Sequence, residues 1–508
     1  PIEDMQTLLH DVLGFEHEEL DRETTEAILG EAAKLASGVL APINRDGDIN
    51  GAKLNDDHSV NTAPGWKEAY NEYRDGGWNA VVFPDEYGGQ ELPWALAFPI
   101  QEMWQGANLS FGLCPLLNQG AVEAILAHGS DEQKQQYLPK MISGEWTGTM
   151  NLTEPQAGSD VGALRATAEP IADGEHAGKY RIKGQKIFIT FGDHDLTDNI
   201  IHLVLARTPG APEGTRGISL FIVPKFHLDT NGNPGAPNAV TCISIEHKIG
   251  IHGSPTCVMG YGENDDCIGE MIGGEFGGMK AMFTMMNNAR INVGSQGVQI
   301  AERATQQATQ FAAERIQSAR AGSGSKDPVA IIEHPDVRRM LLRSKALTQA
   351  ARALLYYATS FVDRATLGIE GAKSRAEILT PLIKGYGTDI GNEVASLGVQ
   401  VHGGMGFIEE TGAAQHFRDA RIAPIYEGTN GIQAADLVGR KLGLDGGEAM
   451  TALIAEIKAE AKDEDGLMTL AMACEDIATW MSSGEASIDD RLAGSYPFMT
   501  MLATATCG

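Results

Sequence analysis

The stretch YRIKGQKIFIT, residues 180–190, decides how this chain is read. It is short, rich in β-branched and aromatic residues, and bounded by polar turn clusters, so it predicts a strand. Three further segments share its texture: IIHLVLART (200–208), GISLFIVPKF (217–226) and AVTCISIEHKIG (239–250). Turn clusters such as TPGAPEGT and DTNGNPGAPN separate them. Residues from about 150 to 265 therefore read as an antiparallel β-domain, a small barrel or sandwich.

The texture is helical on both sides of this block. Met5, Leu8, Leu9, Val12 and Leu13 recur at helical spacing, and Ser130 with Asp131, Glu132 and Gln133 predicts a capped helix start. NAVVFPDEYGGQELP (79–93) reads as a loop between helices. Beyond the strands, Val337, Met340, Leu341, Ser344, Leu347, Ala351, Leu354 and Leu355 mark one face of a long helix that starts after His334. ARAGSGSKDP (319–328) reads as a flexible linker before it. Helices, then strands, then helices give an α+β class with segregated domains rather than a doubly wound sheet. The expected division is a helical N-terminal domain (1–149), a middle antiparallel β-barrel domain (150–268), a C-terminal helical bundle (269–445) and a helical, acidic extension (446–508).

At 508 residues the chain can bury a large core. Its net charge of −29 repels phosphate backbones and anionic bilayers, which argues against nucleic acid and membrane partners. No uninterrupted apolar run reaches the ~18 residues of a membrane span. The first thirty residues are acidic and lack a basic leader, so no secretory signal is expected there. The chain starts without Met and stops inside the apolar run LATATCG, and we expect both ends to have been trimmed. Cys114, Cys242, Cys257, Cys267, Cys474 and Cys507 form no C-x-x-C pair, which fits reduced thiols in a cytoplasm. Cys114 and Cys267 are candidate nucleophiles, but lone cysteines are more often packing residues.

No G-x-G-x-x-G follows a strand and opens a helix, and no P-loop or H-E-x-x-H occurs. The carboxylates show no metal-ligand clustering, so no metal is expected. Three segments concentrate glycine with hydrogen-bonding side chains: MNLTEPQAGSDVGALRA (150–166), QVHGGMGF (400–407) and YEGTNGIQ (426–433). Glycine permits close backbone approach, and hydroxyls with backbone amides can hold a polar ring or a pyrophosphate. In the third, the single acid Glu427 sits between an aromatic and a Gly-Thr-Asn-Gly turn. It is either solvated in a loop or held in a dry slot to move a proton.

Together the three segments resemble the acyl-CoA dehydrogenases. TEPQAGSDVGALRATA (153–168) is similar to that family's flavin-contacting signature. QVHGGMGFIEE (400–410) and RDARIAPIYEGTNGIQ (418–433) resemble its C-terminal signature, in the same order. The resemblance covers residues 1 to about 445. Among subfamilies, the region 320–390, the tail after 445 and the wording VQVHGGMGFIEETGAAQH look most like the 3-methylmercaptopropionyl-CoA dehydrogenases of dimethylsulfoniopropionate demethylation.

The resemblance implies the acyl-CoA dehydrogenase fold, FAD as cofactor and an acyl-CoA substrate oxidised to its α,β-enoyl-CoA. It implies Glu427 as the base that removes the α-proton while the β-hydride goes to the flavin. The family's other base position corresponds to Ala289, which cannot take a proton. A carboxylate in water is too weak a base for this step. Burial raises its basicity, and donors on the thioester oxygen are worth about 3–4 kcal/mol each.

For the flavin, the resemblance implies Leu152, Thr153, Ser159, Phe188, Ile189, Thr190 and Thr429, with Phe188 in place of the commoner Trp. Read alone, Phe188 is a core residue of the β-domain. Arg315, Gln400, Gly403 and Gly404 are implied to reach the cofactor of a neighbouring subunit. Ser159, Asn287, Arg290, Tyr426 and Gly428 are implied on the substrate side. Asn287 stands where many members have Asp. Gln317-Ser318-Ala319 after Arg315, and Asn430-Gly431 after Thr429, also depart from the pattern. His402 in its glycine turn reads as structural.

Shared-cofactor contacts imply a homo-oligomer, and the C-terminal extension implies a dimer. An electron-transfer flavoprotein is the implied electron acceptor. Within the fold, the rivals are a straight-chain acyl-CoA dehydrogenase, an acyl-CoA oxidase, a decayed scaffold and a DNA-alkylation-response flavoprotein. The acidic 446–508 segment opposes the last of these.

Overall fold

A computed structural model describes residues 1–508. The chain packs as two units. One comprises Leu35–Leu92 and Asn108–Ala289; the other comprises Pro1–Lys34, Pro93–Ala107 and Arg290–Gly508.

The first unit holds all the strands. A short hairpin, β1 (Lys53–Leu54) and β2 (Val60–Asn61), interrupts the N-terminal helices, where no strand is predicted. The main sheet contains β3 (Trp146–Asn151), β4 (Thr167–Pro170), β5 (Tyr180–Thr190), β6 (Asn199–Ala206) and β7 (Ser219–Pro224). After the small hairpin β8 (Phe226–Leu228) and β9 (Pro234–Pro237), β10 (Val240–Ile245), β11 (Thr256–Tyr261) and β12 (Ile268–Ile272) complete it. The ladder runs β10-β11-β5-β12-β7-β6-β3, with β4 on β5.

Two features correct the expected antiparallel barrel. The ladder does not close, because its ends β10 and β3 are not paired with each other. The pair β3–β6 is parallel, which the long connection through β4 and β5 permits. Buried along its whole length, β3 shows no two-residue alternation.

Helix Leu109–His128 lies against β3 so closely that a Cβ on Gly148 would meet the Ala121 methyl at 2.4 Å. This helix is long and apolar enough to cross a membrane, but it is a core helix, buried along most of its length. Helix Asp131–Ser143 starts at the expected cap, which is a full capping box: Ser130 Oγ accepts from Gln133 N, and Gln133 Oε1 accepts from Ser130 N.

The second unit is helical. Met5 and Leu9 are buried as the periodicity predicts, but a π-turn over Thr7–Val12 adds a residue to the turn and leaves Val12 exposed. Helix Pro335–Thr366 buries the predicted face, and its Arg352 is held in the interior by Glu102, Glu302 and the Glu102-bonded Tyr356. Helices Glu448–Glu460, Asp465–Ser482 and Ile488–Cys507 form the C-terminal extension.

Helix Gly278–Glu314 begins in the first unit and continues into the second. Within the second unit it crosses the π-turn Ile383–Gly387 at a glycine contact. A Cβ on Gly297 would lie 1.9 Å from the Gly387 carbonyl oxygen, so only hydrogen fits. Both crossing elements also bond the segment around Glu427: Tyr426 reaches Gln296 on the long helix, and Asn430 reaches Gly385 O in the π-turn.

Candidate active site

In the strand-bearing unit, the implied flavin residues gather on β5 and the segment before it. Cys257 pairs with Ile189 and Met259 with Lys186, so Ile187 and Phe188 share one opposing residue. This bulge places Phe188 at φ +60° and turns its ring outward, 59% exposed, while Ile189 stays buried. The reading of Phe188 as a core residue is therefore overturned. Thr190 is half-buried and Ser159 exposed.

Leu152 and Thr153 are tied to the same strand. Ile187 N donates to Thr153 O at 2.9 Å. Lys186, with no exposed surface, donates from Nζ to Leu152 O at 3.1 Å and to Glu154 Oε1 at 2.8 Å. Glu154 also accepts from Arg165 N at 2.7 Å and Ala166 N at 3.0 Å. Burial pushes Lys186 down to about 8 despite its partner. Burial would raise Glu154, but the Lys186 charge and hydrogen bond with the two amides outweigh it and hold this carboxylate below its ordinary value. The pair anchors the 152–154 segment beside the exposed ring.

In the helical unit, the Glu427 turn is held at both ends. Tyr426 N donates to Ile422 O at 3.2 Å, and Asn430 N to Pro424 O at 3.0 Å. Between them Glu427 and Gly428 take φ of +53° and +79°. A left-handed non-glycine residue costs on the order of 1–3 kcal/mol and persists only where its surroundings impose it. Gln433 braces the turn, donating to Glu427 O at 3.3 Å and lying where a Cβ on Gly428 would meet its Nε2 at 2.8 Å. The Tyr426 hydroxyl donates to Gln296 on the long helix.

The Glu427 carboxylate is half-buried and accepts no hydrogen bond. Its backbone N–H donates to no acceptor in the chain. Burial raises its pKa, opposed by the charges of Arg290 and Lys384. Arg290 is buried beside the turn, its Nη1 3.6 Å from Asp436 Oδ2 and its Nε without a partner. Asn287, one turn earlier, is exposed, and Ala289 is buried.

The residues implied to reach a second subunit are open to solvent in the single chain. Arg315 lies just past the long helix, with Nη2 3.4 Å from Gln317 Oε1. Gln400, Gly403 and Gly404 are exposed. Thr429 is exposed and caps helix Asn430–Gly439, its hydroxyl accepting from Ile432 N at 3.2 Å. His402 is structural, with Nδ1 2.7 Å from Gly398 O and its ring stacked on Phe311 at 4.4 Å. Burial pushes the Cys114 and Cys267 thiols up, which removes the thiolate that a nucleophile needs. No group of three or more His, Cys, Asp or Glu is placed to hold a metal.

Family models match the chain in three consecutive blocks: the acyl-CoA dehydrogenase N-terminal domain over 22–145, the middle domain over 149–261 and the C-terminal domain over 277–442. The chain belongs to the acyl-CoA dehydrogenase family. It is 46% identical to the 3-methylmercaptopropionyl-CoA dehydrogenase of Ruegeria pomeroyi, over 97% of this chain and 85% of that one. It is 42% identical to a butyryl-CoA dehydrogenase of Syntrophomonas wolfei, over 85% of this chain and 72% of that one. The butyryl-CoA dehydrogenase structure from Megasphaera elsdenii matches at a TM-score of 0.67 and 25% identity, covering 84% of this chain and 99% of that one.

An acyl-CoA dehydrogenase is an FAD-dependent oxidoreductase. The β5 surface fits a flat ring system. An exposed aromatic at a strained φ, with the half-buried Leu152 on the neighbouring segment, leaves apolar area that such a ring would cover. Lys384, a buried lysine whose charge acts on Glu427, is not marked as a site residue by the sequence. Its one available signal is its isolation in the apolar run ILTPLIKGYG (378–387).

Proposed function

We propose that the chain oxidises a short acyl-CoA across its α,β bond with Glu427 as base, and that its substrate is 3-methylmercaptopropionyl-CoA, giving 3-methylthioacryloyl-CoA. One observation carries the reading. The Glu427 carboxylate is held in a left-handed turn with no hydrogen bond, next to its own unused N–H.

The chemistry divides among these groups. A carboxylate relieved of hydrogen bonds and partly stripped of water is a stronger base than one in solution. The free N–H is available to the thioester oxygen, where a preorganised donor stabilises developing enolate charge by about 3–4 kcal/mol. Arg290 and Lys384 oppose the burial shift, so their charges favour the ionised form of the carboxylate that takes the proton. Leu152, Thr153, Phe188, Ile189 and Thr190 would hold the flavin ring, with Ser159 and Thr429 nearer its phosphates; when bound, FAD supplies the acceptor for the β-hydride. Arg315 suits a pyrophosphate by its planar fork. We assign it, with Gln400, Gly403 and Gly404, to the cofactor of a second copy in a homodimer. Asn287, Arg290, Tyr426 and Gly428 are assigned to the substrate side, and an electron-transfer flavoprotein to reoxidation.

The Ruegeria relative supports the sulfur-containing substrate. The Syntrophomonas relative favours a second reading, a short straight-chain acyl-CoA. Anaerobic flavin bleaching across a panel of acyl-CoAs, with the enoyl product identified, tests both. Fastest bleaching by 3-methylmercaptopropionyl-CoA is expected. Faster bleaching by butyryl-CoA would transfer the assignment, and no bleaching by any thioester would remove it.

A further inference from the structure

Lys384 is fully buried, and a buried ammonium is costly unless paired. Yet no carboxylate lies within 4 Å of it, and its one hydrogen bond is to the neutral Asn430 Oδ1 at 2.9 Å. If the role were packing alone, an apolar residue of similar length would serve better. Its position is set by the π-turn Ile383–Gly387, an arrangement often found at functional sites.

Asn430 lies three residues beyond Glu427 and carries the connection. Its Nδ2 donates to Thr388 Oγ1 at 2.9 Å, to Asp389 Oδ1 at 3.0 Å and to Gly385 O at 3.1 Å. Asp389 Oδ2 in turn accepts from the Tyr496 hydroxyl at 2.5 Å. Tyr496 belongs to helix Ile488–Cys507 of the C-terminal extension. This helix seats Met499 against Gly385, where a Cβ would meet the Met499 methyl at 2.3 Å.

We propose that Lys384 is a positioning residue for the base: Asn430 holds its charge beside the Glu427 turn, and the C-terminal extension locks that arrangement through Tyr496 and Asp389. This rests on Glu427 being the base. The charged and titratable groups that face Lys384 are Glu427, Asp389 and Arg290. Arg290 also faces Asp436, and Asp389 also faces Tyr496 and Arg421. Burial pushes Lys384 down to about 7, while Glu427 and Asp389 support its charge and Arg290 opposes it. Protonated Lys384 favours ionised Glu427. Loss of the Tyr496 hydrogen bond makes Asp389 less acidic, which weakens the support for the Lys384 charge.

The test is the pH profile of kcat/KM, whose acid limb reports the base in the free enzyme. It is measured on the FAD-loaded protein, with flavin content recorded for each variant. In Lys384→Met the acid limb is expected to move up by about one pH unit, because an opposite charge has been removed, and to merge with the native curve on the alkaline plateau. Lys384→Arg is expected to return the limb towards the native position. Tyr496→Phe, a change at a partly exposed residue, is expected to fold normally and to shift the limb in the same direction by less. A native-like limb in both Lys384→Met and Tyr496→Phe, or a uniform loss of rate at every pH, would overturn the proposal. If Lys384→Met does not fold, an unmoved limb in Tyr496→Phe alone overturns it. Failure of the base assignment is distinguishable, because it appears as substrate α-proton exchange that survives Glu427→Gln.

Discussion

Replacing Lys186 by Met should destabilise the protein through the carboxylate it leaves behind. Lys186 and Glu154 are buried together, 2.8 Å apart, and the methylene stem is replaced in kind. Glu154 would keep donors from Arg165 N, Ala166 N and Gln156 Nε2, but its countercharge would be gone. Removing one partner of a buried pair costs about 3–5 kcal/mol. For a unit of this size that lowers the melting temperature on the order of 10 °C. The double variant with Glu154→Gln should recover most of the loss, since no uncompensated charge remains.

The deficit should also depend on pH. In the native protein the depressed Glu154 pKa contributes stability above the unfolded value of about 4.3, lost as pH falls through the lower folded value. In Lys186→Met the same carboxyl is shifted upward, so its penalty is present at neutral pH and vanishes once it is protonated. The two proteins should therefore converge in acid. Denaturant unfolding followed by intrinsic fluorescence and flavin release checks this. A single variant within about 1 kcal/mol of native at pH 7 would show that the pair is not held as a buried one, because surface ion pairs behave that way.

Phe188→Ala should leave unfolding free energy within about 0.5 kcal/mol of native, because the ring is outside the core. It should weaken FAD binding by about two- to tenfold, the worth of a lost aromatic contact, as read by flavin fluorescence titration. A large stability loss with unchanged FAD affinity would restore the packing role. Gly297→Ala should destabilise by about 1–3 kcal/mol or more, since its Cβ would sit 1.9 Å from the Gly387 oxygen. A neutral result in chemical denaturation would contradict the close helix crossing.

The helix–strand–helix order was legible because β5, β6, β7 and β10 combine β-branched residues with turn clusters, and helix Pro335–Thr366 repeats a buried face. The parallel strand β3 was not legible as a strand, because WTGTMN is buried on both faces and carries no alternation. The outward turn of Phe188 depends on a register shift against β11, some seventy residues away in sequence. Local periodicity cannot encode it. Glu427 was legible through its motif, but the state of its carboxylate was not, because that depends on Arg290 and Lys384 arriving from other elements. Lys384 is a lone charge in an apolar run of the sequence, and its burial depends on packing.

The most direct measurement is exchange of the substrate's α-hydrogens with D₂O, followed by mass spectrometry on native protein and on Glu427→Gln, both with FAD bound. Exchange is expected in the native protein, and its loss, by several orders of magnitude, in the variant. Exchange at comparable rates in the two would contradict it, because the proton would then leave without the Glu427 carboxylate.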